Sequence, residues 1–127
     1  MFDGVDLEDS WVLGWYVDAG RNRLVFELEA SLWPGHKYYV PPPPAAHTCY
    51  KRVRLIFERV AGIVGLSPMD AVKPQVDPDG SIDYGNIEGL RQTGEGAYKL
   101  GGDFGEVSIK CEGVRLEVAG ADGQADA

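Results

Sequence analysis

The sequence predicts an all-β fold, a single antiparallel β-sandwich or barrel of about seven or eight strands with a long Pro-rich loop. Three observations carry this. Between Gly96 and Val118 apolar and polar residues alternate, with Val107, Ile109 and Cys111 set against Glu106, Ser108 and Lys110. After Glu112-Gly113 the pattern resumes, with Val114, Leu116 and Val118 opposed to Arg115 and Glu117. Strand side chains alternate between faces, so this is the pattern of strands with one buried face. Second, 17 glycines and 8 prolines in 127 residues suit short strands and tight turns better than a helical bundle. Third, a chain of this length buries roughly two-thirds of its unfolded surface, enough for one core without crosslinks.

The elements follow in order. Met1–Asp9 carries four acids and reads as a lead-in in which Phe2, Val5 and Leu7 pack at an edge. Ser10–Asp18 is the first strand, with Trp11, Leu13, Trp15 and Val17 on one face and Val12 and Tyr16 on the other. Gly14 leaves room for close packing or a bulge. Asp18–Asn22 is a turn by composition. Leu24–Leu32 then places Leu24, Phe26, Leu28, Ala30 and Leu32 inward and Glu27, Glu29 and Ser31 outward, completing a hairpin. In Trp33–Pro44 four successive prolines, Pro41–Pro44, lock an extended run without backbone donors, a surface excursion.

Tyr50–Val60 is a central strand with Val53, Leu55 and Phe57 inward and Ile56 adding burial on the second face. Its Lys51, Arg52, Arg54 and Arg59 form the chain's basic concentration, explained by cross-strand pairing with Glu27 and Glu29. From Gly62 to Asp83 prolines and glycines dissolve the periodicity, leaving one helical turn at Pro68–Val72. Strand pattern returns at Tyr84–Leu90 and Ala97–Leu100, before the closing pair. The expected core is Leu24, Phe26, Leu28, Val53, Leu55, Phe57, Val107, Ile109, Leu116 and Val118. Residues 1–119 make one β domain, and 120–127, which hold no large side chain, read as a disordered acidic tail.

A formal charge of −8 and a pI near 4.6 argue against nucleic acid and favour a basic protein partner. No apolar run reaches the roughly 20 residues that span a bilayer, and the acidic N-terminus lacks a signal-peptide pattern. Cys49 and Cys111 lack paired spacing and read as reduced and buried, so the expected compartment is the cytoplasm.

Two segments are candidate sites. Asp77-Pro78-Asp79-Gly80-Ser81-Ile82-Asp83 has the alternating oxygens and sharp-turn glycine of a calcium loop, with Asp77, Asp79 and Asp83 as ligands. Gln75 and Asn86 fall where the first and last ligands belong, and a hairpin turn capped by Asp79-Gly80 explains the same letters. The second segment is Trp33–Pro44, where Trp33, Tyr38 and Tyr39, residue types enriched at binding hot spots, stand beside the stiff proline run. The competing reading has the tyrosines covering an open end of the core. Weaker patterns are Glu27 and Glu29 as a paired acid site, and His36, His47, Cys49 and Cys111 as soft metal ligands without paired zinc spacing. Asp103-Phe104-Gly105 shares three letters with the kinase magnesium motif but reads as a turn.

The segments Ala30–His36, Thr48–Leu66, Asp77–Ile87 and Gly102–Ile109 together resemble a family of small bacterial all-β proteins without an assigned activity. More loosely, the layout from Asp9 to Val118 is similar to immunity proteins of polymorphic-toxin systems. That layout is a strand opening, a hairpin, a long loop, an L-x-F strand and a final hairpin. The first resemblance implies no function; the second implies toxin neutralisation, and neither implies a catalytic residue. The expected function is therefore non-catalytic binding. The alternatives are a ligand- or calcium-binding β module and a small enzyme with a pocket inside a barrel.

Overall fold

A computed structural model describes residues 2, 4–42 and 49–118. Its strands are β1 (Val5–Asp18), β2 (Arg23–Leu32), β3 (Cys49–Glu58), β4 (Gly62–Val64), β5 (Gln75–Val76), β6 (Ile82–Asp83), β7 (Ile87–Gly94), β8 (Ala97–Gly102), β9 (Gly105–Lys110) and β10 (Gly113–Val118). One 3₁₀ turn, Met69–Ala71, falls inside the expected helical turn. The protein is all-β and antiparallel. One sheet has the order β1-β2-β3-β10, the other β4-β9-β8-β7, and β5-β6 is a small separate ribbon.

Among the described residues neither sheet closes on itself, and β1 reaches the second sheet only through an isolated bridge from Trp11 to Asn86. Two hydrogen bonds accompany that bridge. Val12 N–H donates to the Gly85 carbonyl at 2.9 Å and Tyr84 N–H to the Val12 carbonyl at 2.7 Å.

Inward side chains of both large sheets meet in one core. Leu24, Phe26, Leu28, Val53, Leu55, Phe57, Val107 and Ile109 are buried as expected, while Leu116 and Val118 are partly buried at its margin. Phe26 stands edge-on to Phe57 at 6.4 Å and tilted against Trp15 at 5.8 Å and Phe104 at 5.4 Å. Full burial of such a ring stabilises the fold by about 1.5–3 kcal/mol. Phe104 thus gives Asp103-Phe104-Gly105 a structural role: a turn whose ring plugs the core, with Gly105 at a φ of 118°.

Three expectations need correction. The first strand begins at Val5, because Val5 and Asp6 already pair with Leu32 and Ser31. Its faces also differ from simple alternation. Val12 pairs with Leu28 and Gly14 with Glu27, so Leu13 is bulged out and Val12 and Trp15 share the core face. Gly14 permits the neighbouring packing: a Cβ there would lie 3.0 Å from Met69 Cε, whose Sδ accepts the Trp15 N–H at 3.4 Å. Ser31, expected to face solvent, is buried where β1 bulges beside it, and its N–H donates to the hydroxyl of buried Ser10 at 3.2 Å. Pro43, Pro44, His47 and the 120–127 tail lie outside the described residues. Among the described residues no helix is long and apolar enough to cross a membrane.

Candidate functional site

The Trp33–Tyr39 loop is built from two successive turns. Pro34 pre-sets its φ and Gly35 carries no Cβ, so the chain reverses and His36 N–H reaches the Trp33 carbonyl at 2.9 Å. Tyr39 N–H then reaches the His36 carbonyl at 2.9 Å. Inside the second turn Tyr38 N–H donates to His36 Nδ1 at 3.1 Å. The loop is tied down at both ends. Trp33 N–H donates to the Gly4 carbonyl at 2.8 Å, and Val40 N–H to Cys49 Sγ at 3.4 Å.

Gly4 is where loop and N-terminal chain touch. It holds a φ of 76°, and a Cβ there would lie 2.9 Å from His36 Cβ. Only glycine meets both demands without strain.

A second device brings acids beside the loop. Asp6 pairs with Ser31 and Trp11 with Glu29, so the β1 residues between them bulge against Ala30 alone. Ser10, fully buried, locks the bulge. Its hydroxyl donates to the Asp6 carbonyl at 2.7 Å and accepts the Ser31 N–H. The result is an open cleft of about 290 Å³ lined by Asp6, Asp9, Ser31, Trp33, Pro34 and Tyr39. Neither Asp6 nor Asp9 belongs to an ion pair among the described residues. Trp33 is 54% exposed although its backbone is fixed. The cleft thus brings two carboxylates outside any ion pair among the described residues beside a tryptophan and a tyrosine.

Of the predicted aromatic residues, Trp33 and Tyr39 share this cleft. Tyr38 does not line it; its ring lies 5.9 Å from that of His36, under the Lys37 ammonium at 5.1 Å. Burial, and then the Lys37 cation, hold the His36 imidazole below its ordinary pKa of 6.5. Asp6 and Asp9 were not predicted as site residues. The signal that finds them is the pairing of Asp6 with Ser31 and the bulge after it that carries Asp9, a long-range register that composition does not carry.

The acidic loop is arranged differently. Asp77 N–H donates to the Ser81 carbonyl at 2.9 Å and Gly80 N–H to the Asp77 carbonyl at 2.8 Å, closing a turn with Gly80 at a φ of 88°. The Ser81 hydroxyl donates to Asp79 Oδ1 at 2.6 Å and lies 3.2 Å from Asp77 Oδ2. Asp83 is buried and directed elsewhere, its Oδ1 accepting the Gly85 N–H at 2.8 Å. The structure thus joins Asp77 to Asp79 through Ser81 and places Asp83 in separate work. Among the described residues no three or more His, Cys, Asp or Glu side chains group so as to hold a metal ion. Cys49 and Cys111 are both free and buried.

The basic residues of β3 are partly absorbed by cross-strand pairing. On the outer face of the first sheet Glu27, Arg54, Glu117, Arg115, Glu58 and Arg23 form one continuous ladder of ion pairs. Its tightest links join Glu58 to Arg115 and to Arg23, each at 2.7 Å. Hydrogen bonding from Arg115, with Arg23 assisting, pulls the Glu58 carboxyl below its usual pKa of 4.5. Comparison of the chain with known protein families, with curated proteins and with solved structures finds no match.

Proposed function

We propose that the protein is a non-catalytic binding domain that seats a lysine or arginine of a basic protein partner between Asp6, Asp9, Trp33 and Tyr39. The observation that carries this reading is Trp33, an indole left 54% exposed on a backbone already fixed by its bond to Gly4. An aromatic group held in water on an ordered turn loses little conformational freedom on binding. The formal charge of −8 adds long-range attraction for a basic partner. Neutralisation of a toxin is the form of binding that the resemblance to immunity proteins favours, and the cytoplasm is the compartment that the two free cysteines favour. The two large sheets are the layers of a β-sandwich on this reading, supported by their shared core.

The test is capture from a lysate of the source cells by the wild-type protein, by Trp33→Ala and by Asp6→Asn/Asp9→Asn, with retained proteins quantified by mass spectrometry. A basic protein should be retained by the wild type and lost from both variants, with Trp33→Ala weakening it by roughly 30-fold, the scale of a hot-spot residue. Higher salt should weaken the complex. The melting temperature of Trp33→Ala should stay within a degree or two, because surface substitutions change stability by about 0.5 kcal/mol or less. Equal retention of the same proteins by all three would overturn the reading.

A further inference from the structure

We propose that His36 gates this cleft by pH: protonation of its imidazole opens the Trp33–Tyr39 turns and releases the partner. The inference rests on the cleft being the binding site. Because Tyr38 N–H donates to His36 Nδ1 at 3.1 Å, that nitrogen carries a lone pair and the ring proton sits on Nε2. A second proton must enter at Nδ1, turning the acceptor into a donor that faces the Tyr38 N–H. The new charge also lies next to Lys37, whose ammonium is held over the Tyr38 ring. Two repulsions thus arise inside one three-residue turn.

The turn cannot open alone. His36 sits directly against Gly4, and the Gly4 carbonyl holds the Trp33 N–H. Displacing His36 therefore loosens the anchor of the exposed indole and one wall of the cleft. Among the described residues the ionisable groups around the turn are Lys37, Tyr38 and Tyr39 on the loop, Asp6 and Asp9 on β1, and Cys49 on β3. The two aspartates favour a cation nearby; burial and Lys37 oppose it at the ring itself, so the change falls below pH 6.5. The sign is that of a histidine bound neutral: the closed loop is fully favoured above pH 6.5 and lost as pH falls through the lower folded value.

The experiment is an NMR titration of the free protein from about pH 8 to about pH 5, the range in which histidine changes charge. It uses a His47→Gln background, because the chain contains 2 histidines. The Tyr38 amide and the Trp33 indole should shift together with the His36 ring, with a midpoint below 6.5. His36→Asn, whose Oδ1 replaces the Nδ1 acceptor without titrating, should keep the high-pH spectrum and abolish the transition. Partner affinity in the His36 protein should fall about tenfold per pH unit below the midpoint, as one linked proton requires. Tyr38 and Trp33 resonances that stay flat through the His36 titration would overturn the gate while leaving the binding reading intact. A normal loop transition with binding that ignores Trp33→Ala would do the reverse.

Discussion

The Trp33–Tyr39 and Asp77–Asp83 loops are both sharp excursions with conspicuous side chains, yet they treat those side chains in opposite ways. The second satisfies itself: Asp79 accepts the Ser81 hydroxyl and N–H, Asp77 lies 3.2 Å from the same hydroxyl, and Asp83 accepts the Gly85 N–H. The first satisfies only its backbone, through Gly4, His36 and Cys49, and leaves Trp33 exposed beside Asp6 and Asp9. The first loop orders its main chain and leaves its indole to solvent, which is the arrangement the proposed binding role requires. The second, whose Asp79 closes on its own Ser81 hydroxyl, is arranged to turn.

The largest test of that contrast is Gly4→Ala. Left-handed backbone costs an ordinary residue about 1–2 kcal/mol, and the new methyl must also displace His36. We expect a loss of about 3 kcal/mol in urea melts together with altered Tyr38 and Trp33 resonances. A neutral substitution would show that Gly4 does not anchor the loop. Next is Asp83→Ala, which strips the buried Gly85 N–H of its acceptor. It should cost about 2 kcal/mol by the same melts. A negligible effect would mean that Asp83 is not committed to the Gly85 backbone and is free for another role.

The smallest effect is at Asp79. The Ser81 hydroxyl, then the Ser81 N–H, pull its carboxyl below the usual pKa of 3.8. A depressed carboxylate supports its turn at all pH values above 3.8 and loses that support as pH falls through its folded value. The Ser81 amide should therefore move only in strong acid, far from the range in which the Tyr38 amide moves. Calcium at millimolar concentration should leave the Ser81 amide in place, because Asp79 is bound to Ser81 and Asp83 to Gly85, so no three carboxylates converge; a saturable shift would revive the calcium reading.

How much of this was legible follows from the length and regularity of each element. In β2, β3 and β9 a period of two runs for six residues or more, and there the inward residues read directly, although Ser31 on the outward face of β2 is buried as well. In β1 the same rule misplaced Val12, because the bulge at Leu13 adds a residue that alternation cannot register. The Gly62–Val64 strand spans three residues, too few for any period, and exists because Ile63 finds Ile109 across a long separation. The site divides the same way. Trp33 and Tyr39 stand out by residue type and local turn chemistry, whereas Asp6 and Asp9 become part of it only through the pairing of Asp6 with the far end of β2 and the bulge that Ser10 locks.

The position of β10 beside β3 governs how this chain reaches its fold. Val53 faces Val118 and Glu58 faces Gly113, so the first sheet recruits its fourth strand only after the entire second sheet has been threaded between them. Until then Leu55 and Phe57 lack the cover of Val114 and Leu116, and the far edge of β3 presents unpaired backbone groups. Closing so long a segment is an entropic barrier met before its contacts form, which places folding in the millisecond-to-second range of non-local β topologies. During that interval the β3 edge, YKRVRLIFE, is the segment open to wrong pairing, and its Lys51, Arg52 and Arg54 are the charges that discourage it.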